Sequence, residues 1–361
     1  MVHTASSRTA QRVLPKNIWI RRVVCALIAA VVVVLSGSYG IAYWYQQKHK
    51  NEPLALGVTF IADYARQLGV DPQETMQASI DDLGVRRFRL VSYWKNIEAT
   101  PGVYDFAELD WQFRMAEAAG ADIDLSLGLR QPRWPECHMP EWAMATTKDQ
   151  WYPRLKAFMT ATVERYKNSP SLVSYQVENE FFMEIFGKCQ DFDRERLVDE
   201  YNLVKQLDPT KPIIVTRSNN WGGIPIGDPT PDLYGVAVYK RVFDYTITHR
   251  YFEYPYPPWF YSLLAGAGEL RSGKPMIIHE LQMEPWLPEG FQMNDINDIP
   301  EQNKSMNADR LAKRFQYGRD TGMRTIDTWG LEWWYWRKAV AQDSSLWDVA
   351  RTEFRRANAS D

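Results

Sequence analysis

Residues 172–180 read LVSYQVENE and residues 275–280 read PMIIHE, two short apolar runs of strand character that each end on a glutamate. Six further runs share this form: LALGVTF (54–60), RRFRLV (86–91), DIDLSLG (122–128), PIIVTR (212–217), YGVAVY (234–239) and RTIDTWG (324–330). Amphipathic stretches separate them, and the spacing predicts helices within 72–83, 106–119, 148–167, 192–207, 256–273 and 303–321. Strands and helices that alternate in this way imply βα units on a parallel sheet. Eight units fit a closed (β/α)₈ barrel, an α/β TIM barrel, better than a doubly wound sheet, because no GxGxxG or GxxxxGK[ST] phosphate loop is present. Asp105 and Glu108 at the start of the second helix predict a capping box.

A barrel of this kind carries its chemistry at the C-terminal ends of its strands. Reading off those ends gives Arg89, Asn179, Glu180, Tyr239, Glu280 and Trp329. Two carboxylates on well-separated strands thereby face one mouth. Glycoside cleavage needs such a pair, one protonated to serve the leaving oxygen and one ionised to attack the anomeric carbon or activate water. Glu178 rivals Glu180, because strand alternation would put both on one face; Glu284 rivals Glu280. A lone glutamate is more often solvated or ion-paired, so the joint placement carries the reading. Trp94, Trp134, Trp221 and Trp286 fall on loops that follow strands, as do Trp142, Trp333 and Trp334, and there sugar stacking competes with burial. His138 and His279 lie near the same rim, with no second ligand at metal spacing on either segment. No metal and no cofactor is expected.

The N-terminus is built differently. Residues 1–22 carry five bases and no acid, which leaves 37 basic against 45 acidic residues, a balance of −8, for the remainder. An acidic main domain argues against a nucleic-acid partner. Residues 23–44 contain no charge, and as a helix they extend about 33 Å, enough for a bilayer core of about 30 Å. The expected organisation is a basic cytoplasmic tail (1–22), a transmembrane anchor (23–45), a polar linker (46–53) and a barrel (54–361). The bias of basic residues places the barrel outside the cytoplasm, a single-pass cell-membrane arrangement. A cleaved signal peptide is the competing reading, since Ser36, Gly37 and Ser38 supply small residues. Cys137 and Cys189, on loops after the neighbouring third and fourth strands, are expected to pair in an oxidising compartment, two buried thiols being the alternative.

Several of these pieces resemble the clan A glycoside hydrolases, which include family 5 cellulases and mannanases and the β-galactosidases of families 42 and 35. They are Arg89 in FRL, Trp94 to Glu98 followed by GVYDF (102–106), the VENE segment ending in Asn179 and Glu180, Tyr239, Glu280 after IIH, and Trp329. The resemblance covers residues 54 to about 336. It implies a retaining double displacement on β-linked oligo- or polysaccharides, with Glu180 as acid/base, Glu280 as nucleophile, and the two carboxyl groups about 5–5.5 Å apart. It further implies that Asn179 bonds the 2-hydroxyl, that Arg89 and Tyr239 hold Glu280 ionised and oriented, and that Trp329 floors the subsite. A neighbouring carboxylate and partial burial raise a carboxyl pKa, as the acid role of Glu180 requires. The sequence departs from the family in Phe181, where family 5 often has Pro, and in the loop QPRWPECHMPEW (131–142). An envelope transglycosidase and a catalytically silent glycan-binding barrel share the same fold and are the alternatives.

Overall fold

A computed structural model describes residues 16–189, 191–218 and 227–359. Eight strands close a parallel barrel: β1 (Ala55–Phe60), β2 (Arg87–Val91), β3 (Asp122–Leu127), β4 (Leu172–Val177), β5 (Ile213–Ser218), β6 (Leu233–Val238), β9 (Met276–Gln282) and β10 (Thr325–Trp329). Chain order is barrel order, and β1 closes on β10 through the pairs Ala55–Thr325 to Val58–Thr328. A small antiparallel hairpin, β7 (Arg241–Phe243) and β8 (Tyr251–Glu253), is inserted after β6. The eight expected strands thus appear within a residue or two, since each is a short β-rich run buried on both faces.

Outward side chains such as Phe88, Leu90, Ile123, Leu125, Ile278 and Ile326 pack under the surrounding helices and are all but fully buried. The barrel interior is polar instead. Arg87, Arg89, Asp124, Gln176, Thr216, His279 and Asp327 line it, with Arg87 donating to Asp124 and Asp327, and Gln176 joining Arg89 to Thr216.

The expected helices form at Pro72–Ala78 (continued by a π turn, Ser79–Leu83), Ala107–Ala118, Lys148–Tyr166, Arg194–Leu207, Pro258–Ser272 and Ala308–Asp320. The capping box expected at Asp105 does not form. Asp105 accepts a bond from the Ala107 amide at 2.9 Å, but Glu108 turns outward to pair with Arg66. A true capping box opens Lys148–Tyr166, between Thr147 and Gln150.

The N-terminal helix runs without interruption from Lys16 to His49. Residues 46–49, expected as linker, complete the helix and hold it to the barrel. The Gln46 amide donates to Ser262 Oγ and to the Asp320 carbonyl, both at 2.9 Å, while Lys48 and His49 pair with Glu269. Tyr39 stacks on Trp259 with ring centroids 4.3 Å apart. Gly266 allows the close approach: a Cβ there would lie 2.9 Å from Ile41 Cγ2 and 3.1 Å from Tyr45 Cβ.

Candidate active site

The strand geometry of β4 stops at Val177, and Glu178 (φ 59°) and Glu180 (φ 43°) both adopt left-handed backbone. Alternation therefore does not carry through the VENE segment, and the two glutamates diverge. Glu178 accepts from the Leu129 and Arg130 amides at 2.7 and 3.0 Å and from Arg196 Nη1 at 2.8 Å, tying the loop after β3 to helix Arg194–Leu207. Gly128 (φ 107°) leaves room for it, since a Cβ there would fall 2.4 Å from Glu178 Oε1. Glu178 is thus a buried tie and no rival for the acid. The Glu180 amide donates to Thr216 Oγ1 at 2.8 Å, and its carboxyl Oε1 is buried with no hydrogen-bond partner among the described residues.

Burial first, and the negative charges of Glu280 and Glu136 after it, push the Glu180 carboxyl well above the usual carboxylate range. Glu280, on β9, sits in the opposite environment. Arg89 Nη1 donates to its Oε1 at 2.7 Å and Tyr239 to its Oε2 at 2.9 Å. Burial and Glu280 itself push the Tyr239 phenol up, so it remains a donor. Arg89 also donates to Gln176 Oε1 (2.7 Å), to Asn179 Oδ1 (2.8 Å) and to the His279 carbonyl (3.2 Å). One fully buried guanidinium thus joins the residue before Glu180 to Glu280. The arrangement sets a carboxyl whose pKa is raised near a second carboxyl that accepts from two donors, a pair of contrasting environments.

A third carboxyl, Glu136, was not anticipated. It accepts from Asn179 Nδ2 at 2.9 Å, and burial, partly offset by Arg130, pushes it up to about 7. The only sequence signal was its position beside Cys137. The structure bonds Cys137 to Cys189 with Cα atoms 5.3 Å apart, pinning the loops after β3 and β4 together.

Glu284 is occupied elsewhere, accepting from Trp329 Nε1 at 2.7 Å and from Arg133 at 3.0 Å. The Arg133 guanidinium lies 3.3 Å from the Tyr64 ring centroid and 4.5 Å from that of Trp329. His138 stacks on Tyr93, and burial lowers its pKa to about 3, so it is neutral.

The tryptophans divide. Trp94 is fully buried, its indole donating to Glu98 at 2.7 Å, so it offers no face to a sugar and its expected binding role is corrected to core packing. Trp333 and Trp334 are equally buried. Trp134 is 55% exposed and meets Phe186 edge-on, Trp286 meets Tyr239 edge-on at 5.7 Å, and Trp329 is nearly buried. Trp221 lies outside the described residues.

His279 shows what segment-by-segment reading of metal spacing misses, since three strands bring its imidazole together with Asp124 and Asp327, ligand atoms within 4.8 Å. Arg87 donates to both aspartates, and burial and the nearby arginines keep His279 neutral, so the cluster fills the barrel interior below Arg89. A separate cleft of about 380 Å³ is lined by Asp63, Arg66, Tyr93, Asn96 and Glu108, and neither catalytic candidate reaches it.

No protein-family model matches the sequence, and no curated protein matches it. Solved structures do. GH5_18 from Streptomyces cattleya, in complex with GlcNAc, superposes with a TM-score of 0.55 at 11% identity, over 86% of this chain and 81% of that one. A β-galactosidase from the Antarctic haloarchaeon Halorubrum lacusprofundi gives 0.54 at 12% identity over 85% of this chain, which spans 58% of that protein's length. An endo-β-1,4-xylanase of family 10 from Gloeophyllum trabeum gives 0.51 at 13%, over 77% and 84%. What the chain shares with these glycosidases is the fold, a closed (β/α)₈ barrel.

Proposed function

We propose that this chain is a retaining β-glycosidase hydrolysing O-glycosidic bonds, held in the cell membrane by its N-terminal helix with the barrel outside the cytoplasm. The observation that carries the reading is the Arg89 bridge, which fixes Asn179 and Glu280 together while Glu180 is kept protonated nearby. Glu180 gives its proton to the glycosidic oxygen as Glu280 attacks the anomeric carbon, forming the glycosyl-enzyme and releasing the alcohol. Glu180, now ionised, takes a proton from water, which displaces Glu280 with a second inversion. The second Nδ2 hydrogen of Asn179 is left for the substrate 2-hydroxyl, and Trp134, Trp286 and Trp329 supply stacking surfaces.

The basic residues before the helix support the topology, as does the one described helix long and apolar enough to cross a membrane. The test is hydrolysis of a panel of aryl β-glycosides followed by proton NMR. Retention requires that the β-anomer appear first; an α-anomer would point to inversion and to carboxyl groups at least about 6.5 Å apart.

A further inference from the structure

The N-terminal helix has a direction, and that direction places the catalytic mouth. In a (β/α)₈ barrel each helix starts at the face where the strands end and runs back to the opposite face. Helix Pro258–Ser272 follows β6 and its hairpin and so descends from the catalytic face. The N-terminal helix lies beside it in the same sense: Tyr39 meets Trp259, Tyr45 meets Gly266, and His49 meets Glu269. The His49 carbonyl then accepts from Arg324, at the foot of β10, and β1 begins at Ala55 on that same lower face. The helix therefore comes in at the catalytic rim and leaves at the base. Residues 18–37 are all exposed and project beyond the rim, and twenty helical residues extend about 30 Å, the thickness of a hydrocarbon core.

A second observation agrees. Outside this helix, the exposed large apolar side chains among the described residues fall on segments that follow barrel strands, except Leu270 and Val340. They include Trp134, Ile185 (77% exposed), Ile247 (84%), Phe252 and Phe291. Scattered apolar exposure is ordinary, but a one-sided set around the rim from which a membrane-length helix departs is not. Ile247 is at the tip of the β7–β8 hairpin, directly before the helix that binds the anchor.

We infer that the active-site mouth faces the bilayer, its rim resting on the outer leaflet, and that the substrate is the sugar headgroup of a membrane lipid, a β-glycoside whose aglycone is lipid. The inference rests on the glycosidase reading above and narrows it. A clamp of ring stacking, ion pairs and a close helix crossing holds the mouth at one height, so a sugar standing a few ångströms above the acyl chains is presented to it, whereas a bulky soluble polymer approaches from the blocked side.

The test uses the full chain in phosphatidylcholine vesicles, with Cys25→Ala and the disulfide intact. Single cysteines replacing Ile185, Ile247 or Leu270 carry an environment-sensitive fluorophore, and lipids brominated on their acyl chains quench it. Quenching at 185 and 247 but not at 270 is expected; equal quenching at all three, or quenching at 270 alone, overturns the orientation. In the same vesicles, hydrolysis of a dialkylglycerol β-glycoside is compared with that of a soluble aryl β-glycoside of the same sugar. The double variant Ile185→Asp, Ile247→Asp should lose about tenfold on the lipid glycoside and keep its kcat/KM on the aryl glycoside. Loss of neither activity overturns the proposed substrate class. Failure to cleave any aryl glycoside would refute the glycosidase reading, with the quenching pattern still deciding the orientation.

Discussion

Arg89 shows what the site depends on, because a single side chain reaches Gln176, Asn179 and Glu280 with no solvent contact. A preorganised array of this kind aims charge at the reacting centre without reorganisation during the reaction. The division of labour it supports can be tested by rescue. Glu280→Ala should abolish turnover of all glycosides, since no path to the covalent intermediate remains. Glu180→Ala should still form the intermediate from an aryl glycoside, and azide should restore turnover with a β-glycosyl azide as product; rescue of the Glu280 variant with that product would reverse the assignment.

Glu136 supplies a pH test. Above about pH 7 it is ionised, and its charge helps hold Glu180 protonated. Glu136→Gln removes that charge, so the Glu180 pKa falls and the alkaline limb of kcat/KM moves to lower pH. A limb that stays in place, or moves up, would show that Glu136 does not couple to the acid.

At the scale of elements, the loops after β3 and β4 carry much of the site and lack regular structure to hold them. The Cys137–Cys189 bond closes 52 residues of chain. Replacing both cysteines by serine should cost about 2–4 kcal/mol in urea unfolding, mainly through the freed unfolded chain; an unchanged midpoint would mean that the loops hold without it.

Glu332, on helix Leu331–Ala339, accepts from the Ile61 amide, and burial pushes its carboxyl from 4.5 up to about 7. A pKa raised by folding contributes stability that is full below about pH 4.5 and is lost as pH rises through about 7. Glu332→Gln should therefore flatten the fall in Tm between pH 5 and pH 8, and an equally steep fall in the variant would remove Glu332 as its source. Element existence was legible from apolar periodicity alone. The capping box at Asp105 was not, because Glu108 found a stronger partner in Arg66, a residue 42 positions earlier in the chain.

For the molecule as a whole, the N-terminal helix behaves as an extra barrel helix at one end and as an exposed apolar rod at the other. Deletion of residues 1–37 takes away the exposed stretch 18–37 and leaves the docked segment in place, and should yield a soluble barrel that cleaves aryl glycosides with unchanged kcat/KM. Deletion of residues 1–53 also removes Ala42, Tyr45 and Gln46 from helix Pro258–Ser272 and uncovers an apolar face. That variant should aggregate, or melt several degrees lower, because uncovered apolar surface both destabilises the fold and promotes association. Size-exclusion chromatography and thermal unfolding of the two deletions decide the matter; identical behaviour would mean the docked segment contributes nothing.

What the sequence alone determined was the class of fold and the strand ends. Period and length of apolar runs are local properties, and the C-terminal ends of eight parallel strands converge whatever their loops do, so Arg89, Glu180, Tyr239 and Glu280 could be singled out without coordinates. Tertiary structure decided everything that depends on the direction of a side chain or on a distant partner. Left-handed backbone at Glu178 and Glu180 separated two residues that alternation would pair, and three strands assembled the Asp124, His279 and Asp327 cluster. A loop of no recognisable pattern delivered Glu136 to Asn179. The heading of the N-terminal helix belongs here too, since hydropathy gives an apolar helix its length, and only packing against Gly266 and Glu269 gives it a direction relative to the barrel.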